Sequence, residues 1–164
     1  MKLYGITGWK NSGKTGLVVR LVQHFSDLGL RLSTVKHAHH AFDIDHPGRD
    51  SFRHREAGAG EVVIASRARV AVMTELRGAD EPSLETLLGR LAPADLVLVE
   101  GYKRAPHPKI EAFRAEAGHQ LRAGDDPTIR GVASDVEHDG LALPVFSLDD
   151  TEAIAGFIAD ELDL

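Results

Sequence analysis

The chain contains no cysteine. That excludes disulfides, thiolate metal sites and a cysteine nucleophile, and it is compatible with a reducing compartment. No apolar run approaches the roughly 20 residues that a membrane-crossing helix needs. The first residues also lack the apolar stretch and cleavage site of a secretory signal, so the expected location is cytoplasmic, with no membrane partner. An excess of basic charge is missing too: Lys+Arg 19 against Asp+Glu 25 gives a formal net charge of −6. A broad, salt-sensitive nucleic-acid surface is therefore not expected. No internal repeat, low-complexity segment or long linker divides the sequence. What is present is 164 residues, 43% hydrophobic and 27% charged. That suits one globular domain over 1–164 that buries a core without staples.

Hydrophobic patterning lays out the elements. Residues 2–7 form a short apolar-rich strand that runs into a glycine loop. Over 14–28 the apolar positions Leu17, Leu21, Phe25 and Leu28, with Val18 and Val22 beside them, make one helical face, and Gly29 stands where a C-terminal cap belongs. A second strand over 32–36 completes a βαβ unit, whose crossover implies a parallel sheet. Residues 50–57 read as a helix with Asp50 as N-cap. The β-rich runs 61–65 and 70–75 read as a hairpin or two adjacent strands. A helix over 83–91 follows. Residues 95–100 are apolar without alternation, the mark of a strand buried on both faces. A short strand over 110–114, with an edge position open to it, and parallel strands near 131–133 and 144–147 lead to an amphipathic helix over 151–162. The expected fold is α/β: a P-loop NTPase-like, mostly parallel sheet with helices on both faces, plus a β-hairpin or edge-strand extension.

The strongest chemical signal is Gly8, Trp9, Lys10, Asn11, Ser12, Gly13, Lys14 and Thr15, which match G-x-x-x-x-G-K-[ST] at every fixed position. The glycines let backbone N–H groups turn inward around phosphates. Lys14 places an ammonium on the β- and γ-phosphates, and Thr15 offers its hydroxyl to Mg²⁺. The following helix directs its positive end at the anion. A strand before the motif and a helix after it supply the context that a chance glycine-rich turn lacks.

A second nucleotide element belongs at the carboxyl end of a buried strand. Glu100 closes the 95–100 strand on that edge and is a candidate Mg²⁺ or water-positioning group. Its competing role is to cap the strand and pair with Lys103 or Arg104. The loop holding His37, His39, His40, Asp43, Asp45 and His46 starts at the same edge. It admits a switch-like role, with Asp43 or Asp45 near Mg²⁺ and Lys36 or His37 near phosphate; a transition-metal site; or a solvated polar loop. Arg49, Arg53 and Arg55 follow it and admit an anion site at the start of the next helix; a solvated face is the expected role of Arg53 and Arg55, and Arg49 is left open between the two. The Asn-Lys-x-Asp tetrad of many guanine readers is absent. Asp135, after Ala133 and Ser134, takes the equivalent place and competes with an Asx-turn role.

These motifs together resemble the molybdopterin-guanine dinucleotide biosynthesis adaptor family. The resemblance runs through Val35-Lys36-His37-Ala38-His39-His40, Phe42-Asp43-Ile44-Asp45 and Pro47-Gly48-Arg49-Asp50-Ser51. It continues through Ala57-Gly58-Ala59, Met73-Thr74-Glu75, Leu98-Val99-Glu100-Gly101-Tyr102-Lys103, Pro108-Lys109-Ile110-Glu111 and Ala133-Ser134-Asp135. It covers nearly the whole chain, and its most specific part is the His and Asp loop combined with Val-Glu-Gly-Tyr-Lys. The resemblance implies a homodimer that binds GTP with Mg²⁺ and hydrolyses it weakly at most. It implies assistance to the guanylyltransferase that joins GMP to molybdopterin, with molybdopterin itself a further candidate partner. It puts the P-loop residues on the GTP phosphates and Asp45 and Glu100, with Thr15, on the Mg²⁺ side. Trp9 departs from related dimerising GTPases, which often carry a lysine there; Lys10 stands one place later.

The alternative is a small-molecule or nucleotide kinase on the same P-loop, with 104–130, which carries Lys109, Arg114 and Arg122, as its lid. Either reading requires Lys14 at the phosphates. Lys14→Ala is expected to weaken triphosphate binding while leaving the circular dichroism of the fold unchanged. Unaltered affinity in calorimetric titration would rule out the P-loop assignment.

Overall fold

The computed structural model describes residues 1–38 and 42–164. The sequence expectations for His39 and His40 therefore lie outside the described residues. The elements run β1 Lys2–Thr7, α1 Lys14–Asp27, β2 Leu32–Lys36, α2 Asp50–Glu56, β3 Glu61–Ala65, β4 Val70–Thr74, α3 Leu84–Leu88, β5 Leu96–Glu100, β6 Lys109–Phe113, β7 Ile129–Ser134, β8 Val145–Ser147 and α4 Thr151–Leu162. They form two compact units, one of Met1–His37 with Leu84–Leu164, the other of Ala38–Ser83.

The first unit is built on a sheet of six strands in the order β2-β5-β1-β6-β7-β8. Every pairing in it is parallel. The unbroken apolar run of β5 explains its place between β1 and β2. Leu96 and Leu98 face one side and join Tyr4, Ile6 and Ile110 against α1 and α4. Val97 and Val99 face the other and pack with Val35 and the leucines of α3. A strand with apolar side chains on both faces has no side that tolerates water, so it is driven to the interior of the sheet.

The apolar face of α1 buries Leu17, Val18, Leu21 and Phe25 against Ile154, Ala155 and Ile158 of α4. Its C-terminus closes as the spacing predicts. Gly29, at φ +86°, donates to Ser26 O at 2.9 Å, and Leu30 N donates to Phe25 O at 3.1 Å. These two bonds satisfy carbonyls that the helix end would otherwise leave bare. Asp150 N-caps α4, its side chain accepting from Ala153 N at 3.0 Å.

Three local expectations are corrected. Asp50 is the first residue of α2, and the extended Arg49 is its N-cap; a carboxylate suits the positive end of a helix from either place. The helix expected over 83–91 is only Leu84–Leu88. The strand allowed an edge position lies inside the sheet, as β6 between β1 and β7. Its charged Lys109 and Glu111 are both fully buried, because the chain itself supplies their hydrogen bonds. The lid considered over 104–130 is thereby reduced, since that span holds β6 and the start of β7.

In the second unit, β3 and β4 form an antiparallel hairpin with Val63 opposite Val72. Arg55 of α2 donates to Glu75 at 2.9 Å and to both carboxylate oxygens of Asp43 at 3.0 Å.

Leu98 is fully buried in the core of the first unit. Leu98→Ala should lower unfolding free energy by about 2–5 kcal/mol, measured by urea denaturation. A loss below about 1 kcal/mol would mean that the strand is not packed as described.

Candidate nucleotide-binding site

The chain leaves β1 through a turn that only glycine can open. Gly8 has φ +139°, and a Cβ there would collide with the Ala112 carbonyl oxygen and with Ser12 Oγ. Gly13, at φ +91°, N-caps α1 and brings no side-chain cap. The first intrahelical bond is Leu17 N to Gly13 O at 3.0 Å. The N–H groups of Lys14, Thr15 and Gly16 therefore have no partner within the helix. They open onto a cleft of about 360 Å³ lined by Asn11, Gly13, Lys14, Thr15, Gly16 and Arg114. Unpartnered N–H groups at the positive end of a 14-residue helix make a site for an anion.

Beside the cleft, β1, β5 and β2 end on one edge. Thr15 Oγ1 donates to Glu100 Oε1 at 2.9 Å. The Lys36 ammonium lies 3.2 Å from the same carboxylate oxygen and 3.4 Å from Thr15 Oγ1. The hydroxyl and carboxylate are hard oxygen donors, and the ammonium between them is a cation already drawn to that point; the donor set fits Mg²⁺. The Lys14 ammonium donates to the Trp9 carbonyl. Burial holds its pKa below the ordinary lysine value, Lys103 and Lys36 adding to the shift and Glu100 opposing it.

Trp9 turns away from the cleft. Its indole N–H donates to Gln120 O at 2.9 Å. Its ring stacks on His119 at 5.2 Å, and the Lys103 ammonium lies 4.2 Å from the ring centroid. Lys10 is exposed, and Ser12 is buried in the turn. Asp135 follows β7 and is exposed; its Oδ1 accepts from Ala115 N at 2.9 Å. It borders a cleft of about 470 Å³ together with Ser134, Glu137, His138, Phe146 and Ser147.

Asp45 belongs to the second unit. There its carboxylate accepts from Ser51 Oγ and His46 N, both at 3.0 Å, and lies 3.5 Å from the Arg55 guanidinium. Among the described residues, no three His, Asp or Glu side chains are grouped so as to hold a metal ion. The transition-metal reading of the His and Asp loop gains nothing from them. Also among the described residues, no helix is long and apolar enough to cross a membrane.

A family model described as molybdopterin guanine dinucleotide synthesis protein B matches residues 3–135. The chain belongs to this family. It is 37% identical over 161 residues to the molybdopterin-guanine dinucleotide biosynthesis adapter protein of Escherichia coli K12, an alignment that covers 96% of this chain and 91% of that one. The adapter protein of the same name from Haemophilus influenzae is 43% identical over 127 residues, covering 76% of this chain and 70% of the relative. The crystal structure of a homologue of the family's protein from Bacillus stearothermophilus superimposes with a TM-score of 0.74 at 29% identity, covering 98% of this chain and 97% of that one. The P-loop NTPase-like sheet with its added hairpin is thus the family's fold.

Sequence reasoning assigned no site role to Glu111, and had Arg114 only within a lid. Glu111 is buried beside the P-loop strand, paired in register with Thr7. Its carboxylate accepts from Arg122 N at 2.9 and 3.1 Å and from Ala123 N at 2.8 Å. Burial raises its pKa, and those backbone donors pull the other way. The sequence signal was the alternation Lys109-Ile110-Glu111, which puts both charges on one face of a strand. Glu111 thereby fixes the segment whose Gln120 carbonyl and His119 ring hold Trp9. Glu111→Ala would leave the two N–H groups unpaired, at about 1–3 kcal/mol each. It should lower stability accordingly and shift the emission of Trp9, the chain's 1 tryptophan. Fluorescence unchanged from wild type would show that Glu111 does not hold the segment.

Proposed function

We propose that this protein is a GTP-binding adapter in molybdenum cofactor biosynthesis. It assists the guanylyltransferase that attaches GMP to molybdopterin, and it hydrolyses GTP weakly at most. The observation that carries the nucleotide reading is the coincidence, at one sheet edge, of the open α1 N-terminus with the Thr15–Glu100 pair. The family and the names of the relatives support the biosynthetic role.

The roles follow from the chemistry of each group. Gly8, Trp9, Lys10, Asn11, Ser12 and Gly13 present the phosphate-binding turn, and the Lys14 ammonium exchanges the Trp9 carbonyl for phosphate oxygens. Thr15 and Glu100 would hold Mg²⁺, which when bound neutralises charge between the β- and γ-phosphates. Lys36, now beside them, would move to a phosphate oxygen. Asp45 is proposed on the Mg²⁺ side, a role for which it must release Arg55 and Ser51. Asp135 is proposed to read N1 and N2 of guanine; the bond from Ala115 N occupies one of the roughly four acceptor positions of a carboxylate. Intrinsic turnover should be slow, on the order of 10⁻⁴ to 10⁻² s⁻¹, as in P-loop proteins without an activating partner.

The protein is proposed to act in the cytoplasm as a homodimer through the β3–β4 hairpin, where Val63, Val70 and Val72 are exposed at 59%, 65% and 56%. Molybdopterin is a further proposed ligand of the assembly.

Calorimetric titration with GTP and with ATP, each with Mg²⁺, tests the central claim. GTP is expected to bind at least about tenfold more tightly, the worth of one well-made hydrogen bond to a charged group. Equal affinities or a preference for ATP would favour a small-molecule kinase on the same P-loop.

A further inference from the structure

Arg114 is the residue after β6, and its guanidinium lines the same cleft as Gly13, Lys14 and Thr15. Its Nε is buried and, among the described residues, has no hydrogen-bond partner. Among the described residues, the guanidinium's one ion pair is with Glu116 at 3.6 Å, and that carboxylate is 75% exposed. A planar fork of five donors that faces a cleft and has so little to bond to is matched to phosphate oxygens. The approach to the P-loop is close: a Cβ on Gly13 would stand 3.1 Å from Arg114 Nε. The residue at the α1 N-cap and the guanidinium therefore bound the same small volume.

The order of the strands says which part of a nucleotide passes it. Along the carboxyl edge of the sheet stand Lys36 at the end of β2, Glu100 at the end of β5, the P-loop after β1, Arg114 after β6 and Asp135 after β7. Thr15 and Glu100 mark the Mg²⁺ end, where the outer phosphates lie. Asp135 marks the far end. Arg114 falls between them, beside the helix N–H groups that cradle inner phosphates. Its backbone is fixed there by its neighbour, since Ala115 N is bonded to Asp135.

We infer that Arg114 is a binding residue for the α- and β-phosphates of the nucleotide, and that it does not act on the γ-phosphate as an arginine finger would. The inference rests on the nucleotide reading proposed above. It also means that replacing Asp135 would disturb Arg114, so that lost affinity in an Asp135 variant would not by itself report on the base.

The test is calorimetric titration of the full chain with GTP and with GDP, each with Mg²⁺, for wild type, Arg114→Ala and Arg114→Lys. Arg114→Ala is expected to weaken both nucleotides by about tenfold or more while keeping the wild-type ratio of the two affinities. Arg114→Lys keeps the charge and the stem but loses the fork, so a smaller loss shared equally by GTP and GDP is expected; this variant decides the matter if the alanine protein fails to fold. Wild-type binding with unchanged affinities in the variants, or a loss confined to GTP, overturns the inference and leaves the nucleotide reading standing. Failure of the wild type to bind either nucleotide overturns both.

Discussion

Helix α1 begins without a side-chain cap, and its first N–H groups are left to whatever lies in front of them. In most helices a serine, threonine or aspartate would close that end. Here the turn from Gly8 to Gly13 keeps it open, and the turn exists because β6 packs so closely that Gly8 has the Ala112 carbonyl where a side chain would be. The sheet thus presses the turn into shape from below, while Leu17, Leu21 and Phe25 hold the helix axis from the side. Loosening either contact would let the helix start elsewhere, and the anion site would go with it.

Behind this turn lies a polar layer that is unusual for the middle of a sheet. Lys109 is fully buried, and its three protons meet Ala105 O, His107 O at 2.9 Å and Thr128 Oγ1 at 2.6 Å. Burial, more than any neighbouring charge, lowers its pKa. His107 beside it is pushed down to about 4 by burial and by Lys109, and so is neutral near pH 7. With Glu111 holding Arg122 N and Ala123 N, these groups tie the loops that follow and precede β6 to the strand itself. Among the described residues both ring nitrogens of His107 lack a hydrogen-bond partner, whereas the bonds made by Lys109 and Glu111 favour one arrangement. In this chain that arrangement runs from β6 through the 119–123 segment to Trp9, which follows Gly8 in the turn between β1 and α1.

Much of this was legible in the chain's pattern. The P-loop signature, the βαβ unit, the double-faced apolar β5 and the closing helix all depend on local spacing, which a sequence displays directly. The place of Glu100 at the P-loop edge followed from a topology rule, since parallel strands bring their carboxyl ends to one edge. Lys109 and Glu111 were not legible as interior residues. A charge in a strand reads as solvent-facing until its partners are known, and those partners are backbone groups from a loop with no pattern of its own. Arg114 escaped for a related reason: only the insertion of β6 beside β1 brings the end of that strand to the cleft.

By itself the amino-acid sequence determined most of the elements, the glycine turn between β1 and α1 and the resemblance to the family, because these rest on periodicity, on glycines at fixed spacing and on motifs read in order. Tertiary structure decided which polar side chains meet. It alone set Lys36 beside Glu100, Arg114 beside Gly13 and the Trp9 ring on His119, and it divided the chain into two compact units. Such contacts join residues separated by tens of positions, and their energies come from burial and from hydrogen bonds that exist only when the strands are in register.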